Sequence, residues 1–132
     1  MGLNVIISED CEGAQSGSNF LLSNRANKTQ ANVSSNTLTA AMPAGQTNDG
    51  AQAEVDQILP PALRGAWFDF ARIADFLYML MAAGSDKIMC GQEIPLGGTH
   101  ILLNEPNAAI GLRCFKDGYW HVRYRIGDVS IG

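Results

Sequence analysis

The chain has 132 residues, with 13 acidic and 9 basic side chains for a formal net charge of -4; 46% of its residues are hydrophobic and 17% charged. That length suits one hydrophobic core, and the composition is too apolar and too weakly charged for a disordered chain. The acidic balance argues against a DNA-binding or anionic-membrane role, both of which need a basic excess.

The stretch from Met1 to Asp10 has no basic region and only a short apolar run, so no signal peptide is expected. The longest apolar stretch, Phe76 to Ala83, falls well short of the ~20 residues that a membrane span needs. A cytoplasmic protein with no membrane contact is the expectation. Cys11, Cys90 and Cys114 are odd in number and lack CxxC spacing. They read as free thiols, neither a disulfide framework nor a zinc site, and no metal or cofactor is expected.

Residues 1–57 read as a polar N-terminal arm with short strands, and 58–132 as the core of what is a single domain overall. Val5-Ile6-Ile7 and Phe20-Leu21-Leu22 are the two apolar runs at the start. From Ser23 to Ala53 the only large apolar side chains are Val33, Leu38 and Met42. Such a segment buries too little surface to offset its ordering entropy, so it needs a partner or another surface to hold it.

Pro60-Pro61 suits a helix start, and Ala62 to Ala83 reads as one helix of about six turns stopped by Gly84. Leu63, Ala66, Trp67, Phe70, Ile73, Ala74, Leu77 and Met81 fall on one face at helical spacing. Arg64, Asp69, Arg72 and Asp75 fall on the other, where Phe68, Phe76 and Met79 form a line among the charges. A row of aromatics there suggests a partner or self-association surface.

Four strand-like runs follow: Lys87 to Cys90, Thr99 to Leu103, Ala109 to Phe115 and Tyr119 to Ile126. A three-residue loop, Lys116-Asp117-Gly118, would pair Leu112 with Val122 and Ile110 with Tyr124, keeping one face apolar. Arg113 then lies opposite His121, on a face shared with Arg123 and Arg125, with Phe115 and Tyr119 near the turn. The expected fold is α+β: one long helix packed on a small antiparallel sheet of about four strands, with a polar N-terminal arm.

No phosphate loop, GxGxxG, HExxH or EF-hand pattern is present in the sequence. The leading reading is a non-enzymatic interaction protein, an accessory, assembly or inhibitor-type factor that binds a protein partner or its own copies. Its candidate binding residues are Phe68, Arg72, Phe76, Met79, Arg113, His121, Arg123 and Arg125. The alternative is a small nuclease or toxin-like enzyme acting on RNA, with His121, Arg113, Arg123 and Arg125 as its catalytic cluster. A helix followed by a four-stranded antiparallel sheet with His and Arg on its open face is shared by several small microbial ribonucleases and translation-arresting toxins. Tyr119 to Ile126 resembles the Arg/Tyr-alternating strand of such toxins at that level alone. The acidic charge departs from the basic balance expected of a protein that grips RNA.

Overall fold

A computed structural model describes residues 25–91 and 94–132. The element order is all strand among these residues: β1 (Thr29–Ala31), β2 (Asn36–Thr37), β3 (Gly45–Thr47), β4 (Val55–Ile58), β5 (Trp67–Ala71), β6 (Tyr78–Met81), β7 (Lys87–Cys90), β8 (Ile94–Gly98), β9 (His100–Leu103), β10 (Ala109–Lys116), β11 (Tyr119–Ile126) and β12 (Val129–Ile131). They form a seven-stranded sheet, β1-β3-β5-β10-β11-β7-β8, and a five-stranded sheet, β12-β9-β6-β4-β2. One apolar core, shared by residues of both, joins them. Phe70 of β5 meets Tyr78 of β6 edge to face across it, with ring centroids 6.3 Å apart.

The first six strands alternate between the sheets. β1, β3 and β5 run parallel in one, and β2, β4 and β6 run parallel in the other. The chain therefore winds as successive turns of a flattened coil. Strands β9 and β10 then pair antiparallel with β6 and β5.

The long helix expected over Ala62–Ala83, and with it the α+β fold, is overturned. That segment holds two strands in different sheets, β5 and β6. Their side chains alternate with period two: Phe68, Phe70, Tyr78 and Leu80 are buried, while Trp67, Asp69, Met79 and Met81 are not. A stretch this rich in apolar residues satisfies a 100° pattern as readily as a 180° one, and aromatic crowding favours the strand. Pro60-Pro61 starts no helix. The residues after it form a connection in which Ala62 and Arg64 donate their N–H groups to Asp86 and Asp117.

The four strands expected after the helix are found as β7, β9, β10 and β11, joined by the unexpected β8 and β12, but not as one antiparallel sheet. β9 belongs to the five-stranded sheet, and β7 runs parallel to β11. The β10–β11 turn is Asp117-Gly118, one residue shorter than expected, with Lys116 facing Tyr119. Two bulges absorb the difference, so that Leu112 faces Val122 and Arg113 faces His121 as expected, while Ile110 faces Arg125 instead of Tyr124.

The polar arm is corrected as well. Residues 29–58 supply β1 to β4, and polar side chains organise them. Asn32 Nδ2 donates to Gln46 Oε1 at 2.9 Å, and Gln57 Nε2 donates to Asn36 Oδ1 at 2.9 Å. The Tyr78 hydroxyl donates to Gln57 Oε1, and Gln46 Nε2 reaches the Pro43 carbonyl at 2.7 Å. Asn32, Gln46 and Gln57 are all buried. Paired amides bury their polar groups at little net cost, which composition alone does not register. The strands expected around Val5-Ile6-Ile7 and Phe20-Leu21-Leu22, and Cys11, lie outside the described residues.

Candidate functional site

Two surfaces carry Arg72, Phe76, Arg113, His121 and Arg123 of the residues singled out by sequence. The first is the end of the sandwich where β5 leaves its sheet. Arg72 is only 7% exposed. Its Nη1 donates to the Leu103 carbonyl at 3.2 Å, its Nε to the Ala74 carbonyl at 3.2 Å, and its Nη2 pairs with Asp75 Oδ1 at 3.1 Å. Asn48, fully buried, holds the same loop from the other side. Its Oδ1 accepts the N–H groups of Ile73 and Ala74 at 2.7 and 2.9 Å, and its Nδ2 donates to the Phe76 carbonyl at 3.1 Å.

The loop these two residues hold presents apolar side chains to solvent. Ile73 is 45% and Phe76 42% exposed. Val33, exposed on the connection after β1, lies against Gly50, two residues beyond Asn48. Ile126 is exposed at the end of β11, in the Ala71–Ala109–Ile126 row of the seven-stranded sheet.

The second surface is the outer face of the seven-stranded sheet. Cross-strand register places Trp67, Arg113, His121 and Met89 in one row. The Arg113 guanidinium stands 5.4 Å from the Phe115 ring centroid, and the His121 ring meets Phe115 edge-on at 5.5 Å. Lys116 Nζ lies 5.2 Å from the Tyr119 ring. The next row is Asp69–Gly111–Tyr124, in which the Tyr124 hydroxyl donates to Asp69 Oδ1 at 2.7 Å.

The candidate binding residues therefore separate. Arg113 and His121 come together as expected. Arg123 is exposed at a bulge beside Tyr124, whereas Arg125 registers opposite buried Ile110 and leaves the Arg113–His121 row. The Phe68–Phe76–Met79 line dissolves with the helix. Phe68 is sealed in the core against Trp120, at 6.1 Å between centroids. Met79 sits on the outer face of the five-stranded sheet beside Leu102, and Phe76 stays in solvent.

Sequence reasoning missed Asn48, Ile73 and Trp67. Asn48-Asp49-Gly50 is a turn signature, since Asn side chains cap nearby backbone groups, but its target lies 25 residues away along the chain. The catalytic cluster gains no orienting partner. His121 hydrogen-bonds no carboxylate among the described residues, and its Nδ1 is buried without a partner. Cys114 points to the core, where burial pushes its thiol up, and its Sγ donates to the Lys116 carbonyl at 3.1 Å. No helix among the described residues is long and apolar enough to cross a membrane. No known family model matches the chain, and no curated protein matches it in sequence.

Proposed function

We propose that the protein is a non-enzymatic interaction factor that binds a protein partner or its own copies through the loop end of the sandwich. One observation carries this reading: buried Asn48 and Arg72 spend their hydrogen bonds on holding a loop whose apolar side chains, Ile73 and Phe76, point into water. A loop fixed in advance loses little entropy on binding, and exposed apolar side chains gain most when a partner covers them. Val33, beside Gly50, and Ile126, in the Ala71–Ala109 row, are further exposed apolar side chains at this end of the seven-stranded sheet. Arg72 acts here by positioning the loop, and Phe76 by contact.

The test is the double variant Ile73→Ser/Phe76→Ser in the full chain. Both side chains are partly exposed and lie outside the core cluster, so the variant should stay folded with a melting temperature lowered by no more than about 8 °C. Sedimentation velocity and native mass spectrometry should show self-association, or a defined captured protein, in the parent and its loss in the variant. A parent that stays monomeric and captures the same proteins as the variant overturns the proposal.

A further inference from the structure

We infer that the Arg113–His121 face of the seven-stranded sheet is a second binding surface, one that takes an acidic peptide segment. It lies four residues along β5 from the loop end, about 13 Å away at ~3.3 Å per residue, and it stands independently of the reading above.

The first support is a set of cations without an ion-pair partner. This face carries Arg113, Lys116 and Arg123. The nearby carboxylates keep their charge, but each is turned to a neutral donor. Asp69 accepts the Tyr124 hydroxyl, Asp117 accepts the Arg64 N–H at 2.8 Å, and Asp86 accepts the Ala62 N–H at 2.8 Å. The Arg72–Asp75 ion pair stands at the other surface. The three cations are left without a carboxylate partner in the described chain.

The second support is how the cations are held. Arg113 stands over Phe115, a ring 57% exposed, and Lys116 over Tyr119. His121 abuts the edge of the same Phe115 ring. The Arg113 Nε is buried without a partner, so a carboxylate would meet the paired terminal Nη groups, whose planar fork matches its two oxygens. The rings themselves already carry cations: Arg25 stands over Trp67 at 5.4 Å, as Arg113 and Lys116 do over Phe115 and Tyr119. Base stacking, the main sequence-tolerant grip on single-stranded nucleic acid, needs open ring faces and a longer basic track. A short run of carboxylates fits this face better.

The probe is a hexaglutamate peptide titrated into the full-length protein and followed by amide NMR. Saturable shifts are expected at Arg113, Phe115, Lys116 and His121, weakening as salt is raised from about 0.05 M to about 0.5 M. Arg113→Ala should weaken binding about tenfold or more, and Arg113→Lys should recover only part of the loss, because the ammonium lacks the fork. Should Arg113→Ala fold poorly, the exposed pair Lys116→Ala/Arg123→Ala gives the same reading with the sheet intact. Ile73→Ser/Phe76→Ser should bind the peptide as the parent does, which keeps the two surfaces distinguishable. Absence of saturable shifts, binding indifferent to these cations, or tighter binding of a thymidine oligonucleotide at the same residues overturns the inference.

Discussion

Tyr124 covers Gly111, and nothing larger than glycine fits beneath it: a Cβ there would stand 2.2 Å from Tyr124 Cε2. The ring is thereby laid along the sheet so that its hydroxyl reaches Asp69. Burial, then the hydrogen bond and charge of Asp69, push the phenol up from an ordinary 10.0 to about 12, with Arg123 opposing. Below about pH 10 the phenol is protonated in both the folded and the unfolded chain. Between about 10 and about 12 the unfolded chain releases that proton while the folded one keeps it, so the contribution is present below 10 and lost as pH rises through 12. Tyr78, raised by burial in the same direction, is common to parent and variant and cancels in a comparison. The stability advantage of the parent over Tyr124→Phe, read from urea midpoints, should therefore shrink across that alkaline window. A difference independent of pH would contradict the burial of the phenol together with its Asp69 contact.

At the scale of elements, the segment 67–81 turns on one connection. β5 and β6 lie in different sheets, and the six residues between them cross from one to the other under the hold of Asn48 and Arg72. Asn48→Ala removes the acceptor for two backbone N–H groups at once, a loss of about 1–3 kcal/mol. Urea unfolding should report that loss, and hydrogen exchange should show Ile73 and Ala74 opening while β10 and β11 keep their protection. Unchanged exchange at those two amides would mean that Arg72 alone fixes the loop. This crossing also explains what was legible in the sequence. Lys87–Cys90 and Tyr119–Ile126 could be read because turn residues bound them on both sides. The facing of Arg113 and His121 followed from keeping Leu112 and Val122 on one side. Between Pro61 and Gly84 the one glycine is Gly65, which holds a positive φ in the turn before β5, and from Ala66 to Ala83 neither glycine nor proline marks the crossing. Phe70 and Ala74 fitted a helical face, and the break at Arg72–Leu77 is imposed by a side chain from a distant strand end. Asn48 could not be assigned that role without the fold.

For the molecule as a whole, the order of assembly follows from which strands carry the apolar core. Phe68, Phe70, Tyr78, Leu80, Ile101, Leu103, Ile110, Leu112 and Trp120 come from β5, β6, β9, β10 and β11, whereas β2, β3 and the residue after β1 bring Asn36, Gln46 and Asn32 to the amide network. Those amides combine local partners, Asn36 with Asn32 and Gln46 with the Pro43 carbonyl, with partners on neighbouring turns of the coil, Gln46 with Asn32 and Gln57 with Asn36. The early segment was misread from composition for the same reason: its order derives from hydrogen bonds to strands that come later in the chain. The parallel pairings of β1 with β3, β3 with β5 and β4 with β6 each close a long loop before any contact rewards it. Refolding followed by stopped-flow tryptophan fluorescence should accordingly run on the millisecond-to-second scale of non-local β folds. Within that process Gln46 should complete its contacts late, because Gln57 meets it and the Tyr78 hydroxyl only once β4 and β6 are paired. Gln46→Ala should then speed unfolding with little change in the refolding rate, while Leu112→Ala, at the junction of β5, β10 and β11, should slow refolding. If Gln46→Ala slowed refolding as much as Leu112→Ala, the coil would be nucleating from its polar turns, and the apolar strands would be assembling onto it.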